Sequence, residues 1–165
     1  MNQAYAEAGV KRQETAASLA LRGLIILGIV LGVLFMFLGG IFSIIGIVLV
    51  IALGFIFPKL NVDYEYVYVD GQLDFDKITG KARRKTMLRI DFDQVEVMAP
   101  ANSHALDEYT YKQLETKDYS SRGKDSKPYV IIVSKGEKRL KILFEPNEKM
   151  IEMIKQKAPR KVSVY

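Results

Sequence analysis

The amino-acid sequence predicts a membrane-anchored α+β protein, in which a two-helix transmembrane hairpin precedes an antiparallel β domain with a C-terminal capping helix. Three observations predict this class. From Gly23 to Phe57, 35 consecutive residues carry no formal charge, and 27 of them are apolar. After that run, polar and apolar residues alternate as in half-buried strands. Near the C-terminus, the apolar spacing becomes helical. The uncharged run excludes a purely soluble protein.

The apolar run is too long for one straight crossing. A helix of 35 residues extends about 52 Å, whereas the hydrocarbon core of a bilayer is about 30 Å thick. Gly39 and Gly40 lie near its middle, and we expect them at the hairpin tip, between spans of about 19–38 and 41–57. A single kinked span and a re-entrant hairpin that does not fully cross the bilayer are the alternatives.

Three further glycines are candidates for close helix packing. Gly28 and Gly32 form a G-x-x-x-G pair in the first span, and Gly46 is a small position in the second. Small residues allow helices to approach closely in lipid. The contact is either between the two spans or between two copies of the chain, so a homo-oligomer is compatible with the sequence.

The residues beside the hairpin predict its orientation. Lys11, Arg12 and Arg22 precede the first span, Lys59 follows the second, and the tip is uncharged. Lysine and arginine concentrate on the cytoplasmic side. We therefore expect a multi-pass protein of the cell membrane with both termini cytoplasmic. Residues 1–18 form the cytoplasmic N-terminal segment, and its alanines favour a short helix there: Ala4, Ala6, Ala8, Ala16 and Ala17.

A cytoplasmic β domain is predicted over residues 60–165. Val62–Val69 alternates, which places Tyr64, Tyr66 and Tyr68 on one face. Asp70-Gly71 predicts a type I′ hairpin turn. Further strands are predicted at 73–78, 87–92, 95–98, 129–133 and 140–144. A weaker pattern at Tyr109, Tyr111 and Leu114 indicates one more strand, and 117–127 is polar, as in a loop.

The last element is a helix of about 147–158, with Asn147 as its N-cap and Pro159 after its end. Six or seven antiparallel strands in hairpin order, followed by one helix, are the order of a PH-like β-barrel or sandwich, in which the helix covers apolar surface.

Two segments carry a resemblance to known proteins. Lys77–Lys85 and Ile90–Val97 resemble the middle strands of bacterial PH-like domains. The whole layout resembles an uncharacterised family of small Firmicutes membrane proteins. The residues that carry the second likeness are Tyr5-Ala6-Glu7, Val10-Lys11-Arg12 and Val62-Asp63-Tyr64-Glu65-Tyr66. The resemblance implies the same architecture, and the family brings no activity that can be carried over.

The densest charge feature is a predicted basic loop at 81–85 and the strand after it, with Lys81, Arg83, Arg84, Lys85 and Arg89. These cations are candidates for contact with anionic lipid headgroups, since each charge near an anionic leaflet contributes about 1 kcal/mol. The alternative is a solvated turn whose charges discourage edge pairing. Nucleic acid is not expected as a partner, because no aromatic residues are interleaved with the cations.

The sequence contains no motif that indicates catalysis, a cofactor or a metal. It has no cysteine and one histidine, His104, in a poorly patterned segment. We therefore expect no enzyme, cofactor or metal site, and predict a binding or adaptor module for an unidentified protein partner at the cytoplasmic face of the bilayer. A lipid-sensing module is the first alternative, and an enzyme of unknown type, with a polar site around His104, is the second.

Overall fold

The structure, a computed structural model, describes residues 5–136 and 138–163. Residues 1–4, 137, 164 and 165, which belong to the predicted N-terminal segment and β domain, lie outside the described residues. The chain divides into two units. One contains residues up to Arg12, Asp63–Ile78 and the chain from Arg84 onward, and the other contains Gln13–Val62 and Thr79–Arg83.

Two apolar helices form the predicted hairpin. Helix α1 covers Ala16–Phe37 and helix α2 covers Gly40–Ile56, followed by a 3-10 turn at Phe57–Leu60. Helix α1 and the continuous helical segment Gly40–Leu60, which joins α2 to the 3-10 turn, are both long and apolar enough to span a membrane. The reversal between them uses positive φ at Gly39 and Gly40, which glycine adopts without steric cost. The predicted two-helix organisation is therefore confirmed.

The prediction of a helix before the first span is wrong. Tyr5–Lys11 forms strand β1, which pairs antiparallel with β2, Val62–Val69. Ala6 and Ala8 are buried, whereas Tyr5, Glu7 and the other alternate residues are not. This alternation is the period-two signal of a strand, and it outweighs the helix propensity of alanine because the small side chains allow close packing on the core.

The first sheet has the order β1-β2-β3-β4, with β3 at Gln72–Thr79 and β4 at Arg83–Asp91. Asp70 and Gly71, between β2 and β3, both have positive φ, as the predicted type I′ turn requires. Tyr64, Tyr66 and Tyr68 are buried on one face of β2, also as predicted.

The second sheet has the order β5-β7-β8-β6. Its strands are β5 at Val95–Pro100, β6 at Glu115–Asp118, β7 at Tyr129–Lys135 and β8 at Lys138–Phe144. Strand β6 pairs parallel with β8, so this sheet is mixed rather than purely antiparallel. The strand predicted at Tyr109, Tyr111 and Leu114 is wrong: Asp107–Thr110 form the short helix α3, Tyr111 is its C-cap in the helical conformation, and Leu114 lies before β6.

The C-terminal helix α4 covers Glu148–Lys157, and the Asn147 side chain accepts a hydrogen bond from the Met150 N–H at 2.8 Å. Met150 and Ile154 are completely buried on its apolar stripe. In the part of the chain that the structure describes, the strands form two separate sheets rather than one closed barrel. The predicted β domain with a capping helix is confirmed in its sandwich form.

Candidate membrane interface and binding surface

Gly28, Gly32 and Gly46 lie where α1 and α2 pack against each other. A Cβ on Gly32 would meet Val50 Cγ2 at 2.8 Å, and one on Gly28 would meet Leu53 Cδ1 at 2.6 Å. A Cβ on Gly46 would overlap the Gly32 carbonyl oxygen. These glycines are therefore at the contact within the hairpin, the first of the two contacts considered for them.

The outer surface of the hairpin is apolar over its whole length. Examples are Leu24, Val48 and Phe55, which are 69%, 61% and 71% exposed. A monomeric domain in water rarely presents such a continuous apolar surface. The exposed surface is what a lipid environment requires.

The polar end of the hairpin is fixed by hydrogen bonds. Arg22 forms an ion pair with Glu14, and its Nη2 donates to Asn61 Oδ1 at 2.8 Å. The Asn61 carbonyl accepts the Gly80 N–H at 3.0 Å, and a Cβ on Gly80 would lie 3.2 Å from the Pro58 carbonyl oxygen. The turn at residues 79–82 therefore lies against the end of the second apolar helix, beside Lys59.

The loop in the basic segment, predicted at 81–85, is shorter in the structure. Gly80 and Lys81 both have positive φ, and the Ala82 N–H donates to the Thr79 carbonyl at 3.3 Å, which makes a tight type I′ turn. Such a turn needs few residues, so β4 already begins at Arg83. Of the predicted lipid-contact residues, only Lys81 lies in the turn, and Arg83, Arg84, Lys85 and Arg89 lie on the strand.

Two of these cations are neutralised within the sheet. Arg84 forms ion pairs with Glu65 and with Asp76, whose side chain is 8% exposed. The guanidinium of Arg89 donates two hydrogen bonds of 2.6 Å to the Asp74 carboxylate. For Lys81, Arg83 and Lys85, all exposed, the described residues offer no ion pair. The predicted five-residue cluster therefore presents three available cations.

Arg12 connects β1 to the two sheets, a role that the sequence did not reveal. Its Nη1 donates to Tyr64 Oη at 2.9 Å and to the Asp118 carbonyl at 3.0 Å. Its guanidinium carbon also lies 5.4 Å from the centre of the Tyr64 ring, a cation–π distance. The alternation of Tyr5–Lys11 was the signal that could have placed Arg12 at the end of a strand.

Glu96 organises the other polar network of the domain. It accepts hydrogen bonds from Ser134 Oγ, from Arg139 Nε at 2.7 Å and from Tyr109 Oη at 2.9 Å. The bond from Ser134, helped by those from Arg139 and Tyr109, lowers the pKa of the Glu96 carboxyl despite its partial burial. Glu96 is therefore ionised at neutral pH and holds Arg139 and Ser134 in place.

A surface cavity of about 760 Å³ lies beside this network. Its lining includes Ser134 and Arg139, which are bonded to Glu96, and Glu115, which pairs with Lys117 at 2.6 Å. Lys112, also at the cavity, lies over the Tyr109 ring. Most of its polar groups thus have partners within the protein, and we assign no ligand to it.

His104 is fully exposed, and its Nδ1 lies 3.2 Å from Asp107 Oδ2 in the same turn. Neighbours in one exposed turn do not form the convergent arrangement that a catalytic triad needs. Within residues 5–136 and 138–163, no three acidic or histidine side chains form a group that could hold a metal ion.

Comparison with protein families gives one match to this chain. A family model described as Bacterial PH-like domain (DUF6106) matches residues 2–164. The match therefore includes the strand before the hairpin, the hairpin and both sheets. Comparisons with curated proteins and with solved structures gave no match.

Proposed function

The chain belongs to the DUF6106 family of bacterial PH-like domains, and we propose that it is a non-catalytic binding module that its helical hairpin holds at the cytoplasmic face of the membrane. The observation that carries the proposal is the pairing of β1 with β2. Tyr5 lies opposite Val69 and Lys11 opposite Asp63, in one continuous register. The hairpin is therefore an insertion between two neighbouring strands of a folded sheet.

This pairing supports a hairpin whose two ends are on the same side of the bilayer. Backbone partners in an antiparallel ladder are about 5 Å apart, whereas the hydrocarbon core is about 30 Å thick. A single crossing would separate β1 from β2 by that thickness. Two crossings or a re-entrant loop satisfy the pairing, and the single kinked span does not.

The distribution of charge supports the cytoplasmic side. Lys11, Arg12, Arg22 and Lys59 lie beside the hairpin ends, and the tip around Gly39 is uncharged. Short tips without lysine or arginine are those that cross to the outside. The domain would then present its sheets to cytoplasmic proteins.

A binding role rather than catalysis is supported by how the domain uses its polar residues. Arg12, Glu96 and Asp76 are engaged in bonds that join strands to one another. A small β-sandwich that a helical hairpin holds at the membrane is suited to presenting a binding surface. Its partner would be a protein recruited to the membrane.

Labelling of single cysteines tests the topology, because the chain has no cysteine of its own. Leu38→Cys places a thiol at the hairpin tip, and Tyr111→Cys places one at a side chain that is 94% exposed on the domain. The layers outside the cytoplasmic membrane are first removed from otherwise intact cells. A membrane-impermeant maleimide is then expected to label the thiol at position 38 and not the thiol at position 111. After permeabilisation both are expected to react.

Each alternative has its own labelling pattern. If both thiols are labelled only after permeabilisation, the hairpin is re-entrant. If the thiol at position 111 reacts in intact cells, the domain lies outside and the proposed location is wrong. The unsubstituted chain is the control, since it contains no thiol.

Contact with anionic lipid is a second candidate function, favoured by the position of the turn at residues 79–82 against Pro58 and Asn61. Lys59 and Lys81 are exposed there without ion pairs among the described residues. Cations at the end of a membrane helix are attracted to an anionic leaflet by about 1 kcal/mol each. The site would recognise the phosphate of a lipid headgroup.

A dye at the turn tests this candidate in the full chain. A polarity-sensitive fluorophore is attached to the thiol of the Ala82→Cys variant. The labelled chain is then placed in nanodiscs of phosphatidylcholine, with or without phosphatidylglycerol. We expect the emission to shift to the blue only with phosphatidylglycerol, and the shift to be lost in high salt and in a Lys59→Gln, Lys81→Gln variant. A dye at Tyr111→Cys is the control. Equal emission in both lipids would refute lipid contact, and an equal shift with inorganic phosphate in phosphatidylcholine would indicate an anion site instead.

A further inference from the structure

Strand β4 is a free edge of the first sheet. In the order β1-β2-β3-β4, it has β3 on one side, and no strand of the described chain lies on the other. It is nine residues long and contains neither proline nor glycine. The backbone N–H and C=O groups on its outer side are therefore a template for another strand.

The available cations on this edge have a defined spacing. Arg83 and Lys85 are two residues apart, so they lie on one face of the strand, with about 6.6 Å between their positions. Met87 follows on the same face and is 45% exposed. In contrast, Arg84 and Arg89 are held by carboxylates of the sheet. The edge presents two unpaired cations followed by an apolar side chain.

We propose that β4 is a docking edge for an extended acidic segment of a partner protein, which adds to the sheet as a fifth strand. Two carboxylates two residues apart in that segment would lie opposite Arg83 and Lys85, and an apolar residue would cover Met87. The inference rests on the proposed binding function and gives the chemistry of the partner.

A second copy of this chain is a poor occupant of the same edge. In the fully overlapping antiparallel pairing of β4 with another β4, Lys85 lies opposite Arg89 at two places, and like charges directly opposite are destabilising, while Arg83 lies opposite Asp91. Strand β4 contains four cations and only one carboxylate, Asp91. Charge complementarity therefore favours an acidic partner.

Two other edge strands, β5 and β1, have partners on their outer sides. The outer side of β5 is covered by the C-terminal segment, where the Met98 N–H donates to the Lys161 carbonyl at 2.7 Å and the Ser163 N–H donates to the Met98 carbonyl at 2.8 Å. The β1 edge receives the Asn147 side chain, which donates to the Glu7 carbonyl at 2.8 Å. Charge alone protects many edges; on β4 the exposed Met87 adds an apolar surface beside the two available cations, which an added strand would cover.

Peptide binding to the full chain in phosphatidylcholine nanodiscs tests the proposal. The probes are a fluorescent extended peptide that carries two aspartates and a valine at successive alternate positions, so that all three side chains lie on one face, and its counterpart with lysine in place of aspartate; binding is followed by anisotropy. We expect the aspartate peptide to bind at least ten times more tightly. An Arg83→Glu, Lys85→Glu variant is expected to reverse this preference. The matched control is Lys124→Glu, Lys127→Glu, which reverses two exposed charges elsewhere and leaves the preference unchanged.

Backbone methylation separates strand addition from charge attraction. Two versions of the aspartate peptide carry N-methyl groups on one or the other set of alternate amides, because only one set faces a neighbouring strand. We expect one version to lose binding and the other to retain it. Equal binding of the two versions would overturn the proposal, and so would absence of aspartate-peptide binding to the unsubstituted chain.

A lipid explanation of the same residues gives a different result. In that case the Arg83→Glu, Lys85→Glu variant would abolish the phosphatidylglycerol-dependent shift of the dye at position 82 and leave peptide binding unchanged, which would also overturn the proposal. The cysteine labels at Leu38 and Tyr111 do not involve β4. A failure here is therefore distinguishable from a failure of the proposed membrane topology.

Discussion

Replacing Tyr66 with alanine is expected to lower the free energy of unfolding of the β domain by about 4 kcal/mol. The Tyr66 side chain is completely buried, and its ring centre lies 5.7 Å from that of Phe75 in the first sheet and 5.4 Å from that of Phe144 in the second. Its hydroxyl donates to the Tyr119 carbonyl at 2.5 Å. Truncation removes a contact that joins the two sheets and leaves a cavity between them. Urea titration in detergent, followed by the near-ultraviolet circular dichroism of the tyrosines, measures the loss.

Two control variants separate the contribution of the Tyr66 ring to stability from that of its hydroxyl and from the effect of truncating an exposed tyrosine. Tyr66→Phe keeps the ring and removes the hydroxyl, so we expect a loss of about 1 kcal/mol. Tyr111→Ala removes a side chain that is 94% exposed and is expected to change stability by less than about 0.5 kcal/mol. If Tyr66→Ala costs no more than Tyr66→Phe, the ring does not join the sheets as described.

The hydroxyl of Tyr66 also predicts a dependence on pH. Burial raises the pKa of Tyr66 above that of a free tyrosine. The unfolded chain then releases this proton at lower pH than the folded chain does. The contribution of the Tyr66 hydroxyl to the free energy of unfolding is therefore complete below about pH 10 and is lost as the pH rises through the raised pKa. When the urea titration is repeated at alkaline pH, we expect the difference in free energy of unfolding between the unsubstituted chain and Tyr66→Phe to become smaller.

The sequence was sufficient for the elements whose pattern is local. The uncharged run with its central glycine pair predicted two helices and their reversal, and Asp70-Gly71 predicted the turn after β2. The alternation of Tyr64, Tyr66 and Tyr68 predicted the core face of that strand. Each of these follows from residues within a few positions of one another, whose conformational preferences the surrounding fold reinforces.

The errors lie where pairing is distant in sequence. Strand β1 is stabilised by β2, and the hairpin lies between them, so alanine propensity was the stronger local signal. Strand β6 pairs parallel with β8 through residues more than 20 positions away. The density of charge in the basic segment predicts a loop, but Glu65, Asp74 and Asp76, which lie on other strands, pair with Arg84 and Arg89 and hold them on β4.

Gly46→Ala is expected to destabilise the helical hairpin by about 2 kcal/mol, as overpacking of a tight contact does. The added methyl group would overlap the Gly32 carbonyl oxygen and lie 3.0 Å from the Met36 backbone nitrogen. Backbone atoms of both helices cannot yield as a flexible side chain can, so α1 and α2 must move apart. Titration with sodium dodecyl sulfate in mixed micelles, followed by far-ultraviolet circular dichroism, measures the change.

Gly54→Ala is the matched control in the same helix, because a Cβ there meets no atom within 4 Å. Alanine has a higher helix propensity than glycine, so this variant is expected to be neutral or to gain up to about 1 kcal/mol. Both variants replace glycine with alanine. Changes of opposite sign in the stability of the hairpin would therefore separate the effect of packing from that of helix propensity. If instead the glycine face joins two copies of the chain, Gly46→Ala would lower the oligomeric mass in light scattering and leave the detergent titration of the monomer unchanged. A destabilised hairpin of unchanged mass is what contact between α1 and α2 of one chain requires.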